Sequence, residues 1–214
     1  MVTLEGVQKY YGTAHVLKGV DLKLGKGEFV AVTGSSGSGK STLLNIIGGM
    51  DRPDAGKIFV DRNEISSYDD EKLTLYRRKK IGFVFQFFNL LPNITVIENV
   101  RIPLLLNGSR DEEMAHAFVS RVGLEGREDS YPHELSGGEQ QRVAIARALV
   151  HDPDIILADE PTGSLDSSTG RAIMGLLTRL REETGKTILL VTHEEYISRY
   201  ASRVLKIRDG IIRQ

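Results

Sequence analysis

Neither cysteine nor tryptophan occurs among the 214 residues. Without a thiol there is no nucleophilic cysteine, no Cys-ligated zinc and no disulfide framework, which fits a reducing compartment. An excess of charge of one sign is missing too: 28 Lys and Arg stand against 29 Asp and Glu, a formal net charge of −1. Domains that hold nucleic acid by bulk electrostatics are markedly basic, so no nucleic-acid partner is expected. There is no run of about 18 apolar residues, hence no candidate membrane span. The segment Met1 to Tyr10 carries Glu5 and Lys9 around no apolar centre, so it does not read as a secretory signal. What is left is one large domain's length, able to bury about 70% of its unfolded surface without a covalent or metal staple. One residue type is in surplus: 22 glycines, against roughly 15 at an average usage of about 7%.

Strand-like and helix-like stretches interleave. Val2–Val7, Val16–Leu24, Glu28–Val32, Lys57–Val60 and Ile81–Phe85 have strand character. Ile155–Ala158, Thr187–Val191 and Val204–Ile207 are near-continuous apolar runs, the pattern of strands buried on both faces of a parallel sheet. Lys40–Gly48 reads as a helix. So do residues 111–122, with Met114, Ala117, Phe118 and Val122 at helical spacing, and 167–182, with Ile173, Leu176, Leu177 and Leu180. Alternation of this kind predicts an α/β fold. Residues 88–138 contain no convincing strand, and are read as a helical sub-lobe inserted in the core.

Three segments carry chemistry. Gly34-Ser35-Ser36-Gly37-Ser38-Gly39-Lys40-Ser41 follows a strand and opens a helix, matching G-x-x-x-x-G-K-[ST]. Its backbone N–H groups form a nest for phosphates, the helix N-terminus adds positive potential, Lys40 reaches the β/γ-phosphates and Ser41 suits Mg²⁺. In Ile155-Ile156-Leu157-Ala158-Asp159-Glu160, an apolar strand delivers two carboxylates to the carboxyl edge of the sheet, where α/β proteins bind ligands. Asp159 suits Mg²⁺ through water and Glu160 suits a general base acting on an attacking water. The third, Leu135-Ser136-Gly137-Gly138-Glu139-Gln140-Gln141-Arg142, again sets a serine and two glycines before a helical pattern, a second anion-ready N-terminus. One ATP needs one phosphate loop, so the second cradle is assigned to a nucleotide held by another copy.

Ser136-Gly137-Gly138 with Gln140, 23 residues before Asp159 and 96 after Lys40, resembles the signature motif of ATP-binding cassette (ABC) ATPases. The resemblance covers essentially the whole chain. It implies the P-loop ABC ATPase fold, a mainly parallel core sheet with an antiparallel β subdomain and an inserted helical subdomain, in a single domain 1–214. It implies ATP and Mg²⁺ as ligands. Gly34, Ser35, Ser36, Gly37, Ser38, Gly39, Lys40, Ser41 and Thr42 would hold the nucleotide, and Ser41, Gln86 and Asp159 the metal. Glu160, His193, Lys40 and Gln86 would be the catalytic group. Gln86 resembles the Q-loop glutamine that senses a transmembrane partner, and His193 the switch histidine at the γ-phosphate. Ser164-Leu165-Asp166 resembles the D-loop, which lines the interface between two copies. Ser136, Gly137 and Gly138 of one copy would cap the nucleotide on the other. Tyr11 resembles the aromatic that stacks on adenine, with Val16 beside it; Tyr10 is the alternative.

Ser41–Gly49, Ile81–Gln86, Asn89–Pro92 and Ile156–Gly163 resemble the lipoprotein-release and macrolide-efflux branch, with cell-division cassettes nearby. That branch implies a second copy and a transmembrane permease as partners, a place on the inner face of the cell membrane through that permease, and no regulatory domain after Asp209-Gly210 and a short final strand. Phe85–Pro92 gathers five large apolar residues and reads equally as core between two lobes or as a groove for a permease helix. Arg77–Lys80 reads as a solvated helix end, favoured by the helix dipole. The competing classes are a soluble or cell-division-type ABC ATPase with a regulatory role and a non-ABC P-loop ATPase or kinase. Soluble ABC ATPases of DNA repair or translation carry coiled-coil insertions or tandem cassettes, for which 214 residues leave no room; Leu135–Gln140 together with His193 argues against the non-ABC class.

Overall fold

A strand whose side chains alternate between two apolar environments must be apolar throughout, and the longest hydrophobic runs do this. The computed structural model describes residues 1–213; Gln214, the end of the expected single domain, lies outside them. The strands are β1 (Val2–Tyr11), β2 (Ala14–Leu24), β3 (Phe29–Thr33), β4 (Ala55–Val60), β5 (Asn63–Glu64), β6 (Ile81–Phe85), β7 (Ile155–Asp159), β8 (Thr187–Thr192), β9 (Arg203–Arg208) and β10 (Ile211–Arg213). The helices are α1 (Lys40–Ile47), α2 (Asp70–Lys80), α3 (Val96–Leu106), α4 (Glu112–Arg121), α5 (Gly137–Leu149) and α6 (Ser167–Thr184). A six-stranded sheet runs β10-β9-β3-β8-β7-β6, and a four-stranded sheet runs β2-β1-β4-β5. In the larger sheet β9, β3, β8, β7 and β6 are parallel and β10 is antiparallel at the edge; the smaller sheet is antiparallel.

Each central strand feeds two cores. Phe29, Ala31, Ile156, Ala158, Ile188 and Leu190 face the cluster built with α3, α4, α5 and α6. Val30, Val32, Ile155, Leu157, Leu189 and Val191 face the other, which takes in Leu43, Leu44 and Ile47 of α1 and Leu4, Val7, Leu17 and Leu22 of the antiparallel sheet. This double burial is why β3, β7 and β8 are unbroken apolar runs. The same expectation for Val204–Ile207 is corrected: β9 alternates, with Leu205 and Ile207 buried and Val204 41% exposed. β9 lies next to the edge strand, and one of its faces is not covered by a helix.

From β6 to β7 the described chain has helices and turns only. The turn between β6 and α3 is organised by Asn99, which is fully buried. Its side chain accepts from Leu91 N–H at 2.9 Å and donates to the carbonyls of Leu91, Ile94 and Thr95 at 3.1, 3.3 and 3.0 Å. No periodicity announces this role, and the sequence reading missed it. Truncation strips a partner from several buried backbone groups, so Asn99→Ala is expected to cost about 2 kcal/mol, measured as a lower urea midpoint with an unchanged slope.

Candidate active site

The parallel register brings four strand ends to one edge. Phe85 of β6 lies opposite Asp159 of β7, Asp159 opposite Val191 of β8, and Val191 opposite Val32 of β3. The residues that follow these strands therefore meet: Gln86 after β6, Glu160 after β7, His193 after β8, and the loop Gly34–Gly39 after β3. This is the carboxyl edge at which open α/β sheets take ligands.

The Gly34–Gly39 loop leads into α1, where Lys40 is the first residue and Gly39, at φ +103°, is the residue that turns into the helix. Lys40 is 5% exposed, with its ammonium folded back to donate to the carbonyls of Gly34 and Ser35 at 2.9 and 3.0 Å. Ser38 Oγ is buried without a hydrogen-bond partner among the described residues. A Cβ on Gly34 would sit 2.4 Å from the Ile207 carbonyl oxygen, while one on Gly37 would meet nothing within 4 Å. Gly34 is thus required by the packing of β9, and the open side of the loop lies at Gly37. Ser35, Ser36 and Gly37 are exposed. Val16 bulges from β2 beside the loop, its Cγ1 3.5 Å from where a Cβ on Gly39 would be.

Ser41, in the first turn of α1, donates to Asp159 Oδ1 at 3.1 Å. Burial, with the neighbouring Glu160 carboxylate adding to it, lifts Asp159 above the usual carboxylate range; the Ser41 hydrogen bond and the Lys40 charge oppose this. Glu160 is held between two cationic or donor groups: Oε1 lies 3.7 Å from Lys40 Nζ and Oε2 lies 2.8 Å from His193 Nδ1. Its backbone has φ +45°, a strained conformation for a residue with a Cβ, of the kind concentrated at functional sites. The strain is fixed by Glu160 N–H donating to the Val191 carbonyl and Gly163 N–H donating to the Glu160 carbonyl. A Cβ on Gly163 would meet Gln86 Nε2 at 2.9 Å and Glu160 Oε2 at 3.3 Å, so the Gln86 amide is beside the same carboxylate. Asp159, Glu160, Gln86, His193, Lys40 and Ser41 form one constellation.

Ser136, Gly137 and Gly138 are not part of it. Ser136 caps α5 and the two glycines are the first residues of that helix, so they lie in it and do not precede it. Ser136 Oγ donates to Glu139 Oε2 at 2.6 Å, and this hydrogen bond is the chief reason the Glu139 carboxyl is held below its ordinary range. Gly137 packs toward Leu165 and Gly138 toward Thr169, placing this helix end beside the turn Ser164-Leu165-Asp166. Asp166 is committed as well: it caps α6, accepting from the N–H groups of Ser168 and Thr169 and from both hydroxyls, contacts that hold its carboxyl far below the usual range. The two caps follow readable patterns, a capping box S-x-x-E at Ser136 and a single Asp N-cap before an apolar-periodic run at Asp166.

Tyr10 and Tyr11 point to opposite sides of β1. Tyr10 stacks on His15 with ring centroids 4.0 Å apart. Tyr11 lies on the α1 side, where its hydroxyl donates to Asp51 Oδ2 at 2.6 Å and Thr42 borders it. Phe87 and Leu91 are exposed, while Leu90 packs on the core, so only part of the apolar segment after β6 is core. The basic helix end is less solvated than expected: Arg77 donates to the Gly49 carbonyl at 2.7 Å and Lys80 pairs with Asp154.

A family model described as ABC transporter matches residues 17–163. The chain is 48% identical over 221 residues to the ABC transporter ATP-binding protein MJ0796 of Methanocaldococcus jannaschii, covering 98% of this chain and 94% of that one. A dimeric structure of that cassette in a post-hydrolysis state, bound to ADP and Pi, superimposes with a TM-score of 0.92 and covers 100% of this chain and 97% of its own. The lipoprotein-releasing system ATP-binding protein LolD of Bacteroides thetaiotaomicron is 45% identical over 217 residues, all of both chains. The macrolide export ATP-binding/permease protein MacB of Syntrophobacter fumaroxidans is 44% identical over 99% of this chain, which spans 31% of it.

Proposed function

The chain belongs to the ABC transporter family, and from that premise we propose that it is the ATP-hydrolysing subunit of a lipoprotein-release or macrolide-efflux type transporter, acting as a head-to-tail pair on a separate permease. The observation that carries the hydrolytic reading is the position of Glu160, in reach of Lys40 on one oxygen and bonded to His193 on the other. ATP enters as substrate, its phosphates in the Gly34–Thr42 cradle and its base against Tyr11 with Val16 alongside. The buried, unpartnered Ser38 hydroxyl and the inward Lys40 ammonium fit such an anion. Among the described residues no cluster of three or more His, Cys, Asp or Glu side chains forms a metal site. Ser41 and Asp159, with the Gln86 amide nearby, offer the few hard oxygens suited to Mg²⁺, which keeps several of its waters. When bound, Mg²⁺ neutralises charge on the β- and γ-phosphates.

Glu160 orients a water in line with the γ-phosphorus and takes its proton as the new P–O bond forms and the bond to ADP breaks. Water and ATP become phosphate and ADP. His193 holds the Glu160 carboxylate in place, and Lys40 offsets charge spreading over the equatorial oxygens. Asp166 acts at the interface between copies by setting the start of α6 beside Ser136–Gly138.

The permease partner is read from two features. A groove of about 590 Å³ has an apolar floor that includes Phe83, Phe85, Leu91, Ile102 and Leu106; it suits a helix from the membrane partner. MacB, which this chain matches over 31% of its length, is named as a joint ATP-binding/permease protein. Attachment to the inner membrane face through the permease follows, with residues 1–214 acting as one ATP-binding domain and 88–138 as its helical sub-lobe.

Substitution at the signature tests the pairing. Ser136→Ala is expected to lower hydrolysis about tenfold, the value of one hydrogen bond to a charged group, while a monomer binds ATP within about twofold of the parent. Loss of the cap also lowers stability by about 1 kcal/mol. Phosphate release, ATP titration and thermal melting read the three quantities. Loss of ATP binding by the monomer would place Ser136 at its own chain's nucleotide and refute the head-to-tail reading.

A further inference from the structure

Asp51 lies in the turn after α1, outside every motif, and touches two residues of β1. Lys9 and Tyr11 are two apart on that strand and share a face. Asp51 Oδ1 accepts from Lys9 Nζ at 2.7 Å and from Arg52 N–H at 2.7 Å; Oδ2 accepts from the Tyr11 hydroxyl at 2.6 Å. Lys9 Nζ also donates to the Arg52 carbonyl at 2.7 Å and stands 5.2 Å from the centroid of the Tyr11 ring, within the range of a cation–π contact. Lys9 is 8% exposed, an unusual depth for an ammonium, and Tyr11 is 48% exposed. The turn is itself fixed to the end of α1, since Met50 and Asp51 N–H both donate to the Asn45 carbonyl, at 2.8 and 3.2 Å.

We propose that Asp51 is a positioning residue for nucleotide binding: it pins the Tyr11 ring, through the phenol, to the same helix whose first turn carries Lys40 and Ser41. The inference rests on the reading that Tyr11 stacks on the base. Tyr11 ends β1, next to the Gly12-Thr13 turn, and a phenol ring at a hairpin tip would otherwise sample several rotamers. The Asp51 bond removes that freedom before ATP arrives. Lys9 lies over the ring, leaving the opposite face to receive a purine. α1 has eight residues, about 12 Å at 1.5 Å per residue, so a short rigid strut joins base and phosphate subsites. Burial raises the Asp51 carboxyl but is outweighed by the hydrogen bonds from Lys9, Tyr11 and Arg52, which leave it below its ordinary range. Burial, with the Asp51 bond, raises the Tyr11 phenol; acceptor and donor states are therefore both maintained at neutral pH.

Immobilising one such side chain on binding is worth about 3- to 10-fold in affinity. The test measures Kd of the full chain for Mg-ATP and for Mg-tripolyphosphate, which has phosphates and no base. Asp51→Ala and Tyr11→Phe are each expected to raise the ATP Kd about 3- to 10-fold, non-additively when combined, with tripolyphosphate affinity unchanged and, for Asp51→Ala, kcat unchanged as well. Tyr11→Phe keeps the ring and every other bond of Asp51, so it decides the matter if Asp51→Ala folds poorly. Equal weakening of ATP and tripolyphosphate by Asp51→Ala would make Asp51 a merely structural residue. An unchanged ATP Kd in Tyr11→Phe, with Tyr11→Ala still weakened, would overturn the pinning and leave the stacking intact. An unchanged ATP Kd in Tyr11→Ala would overturn the stacking reading itself.

Discussion

Glu160→Gln is expected to bind ATP within about twofold of the parent and to hydrolyse it at least 100-fold more slowly. The amide keeps the shape of the side chain and a hydrogen-bonding partner for His193 Nδ1, now at 2.8 Å from the carboxylate. It cannot take a proton from water, and general-base assistance is worth about 10²–10⁴ in rate. It also removes the negative charge 3.7 Å from Lys40, so anionic phosphates meet less repulsion and binding is not weakened. The φ of +45° at this position is imposed by backbone hydrogen bonds that Gln retains, so the fold is preserved. If ATP holds two copies together and hydrolysis releases them, the variant accumulates as a dimer with ATP and stays monomeric with ADP. Phosphate release and gel filtration with each nucleotide measure both parts. Hydrolysis at the parental rate would show that Glu160 is not the base.

What the sequence displayed was whatever one element carries by itself. Ile155–Glu160 can be read as a strand ending in chemistry because both its faces are buried and its last two residues leave the sheet together. Gly34–Ser41 can be read because a nest needs its residues contiguous. Asp51 and Asn99 could not be read, since their partners lie at residues 9 and 11 and at residues 91 to 95, and a carboxylate or amide that binds backbone or distant side chains leaves no period. Val204 misled because an apolar run near a sheet edge looks like one in its centre. The glycine surplus was only partly a phosphate signal: five glycines fall in the two expected cradles, yet Gly34 is demanded by Ile207 and Gly138 by Thr169. Gly48 and Gly82, outside both cradles, are constrained as tightly by packing.

Gly82→Ala is accordingly expected to be among the most destabilising single-methyl substitutions in the chain. Its Cβ would lie 2.1 Å from the Ala148 carbonyl oxygen of α5 and 3.1 Å from Pro153 Cγ. The first contact is with backbone, so no rotamer change relieves it; β6 and α5 must separate. Overpacking costs about 1–3 kcal/mol, and a backbone clash belongs at the top of that range. At roughly 2–4 °C per kcal/mol for a chain of this size, the melting temperature falls by roughly 6–12 °C. Gly175→Ala is the control of opposite sign. Gly175 is an exposed residue inside α6 with nothing within 4 Å of its added Cβ, and Ala there is worth about 1 kcal/mol in helix propensity. The Gly82 contact also has a functional side. β6 leads to Gln86 and Ser136 caps α5, so prying the two apart shifts the Gln86 amide against the helix end proposed to face a second copy. A Gly82→Ala chain that remains folded at low temperature should therefore bind ATP normally, through the untouched loop and α1, while hydrolysing it more slowly. Equal stability of Gly82→Ala and the parent would mean that β6 and α5 are not in the close contact that ties these two parts of the site together.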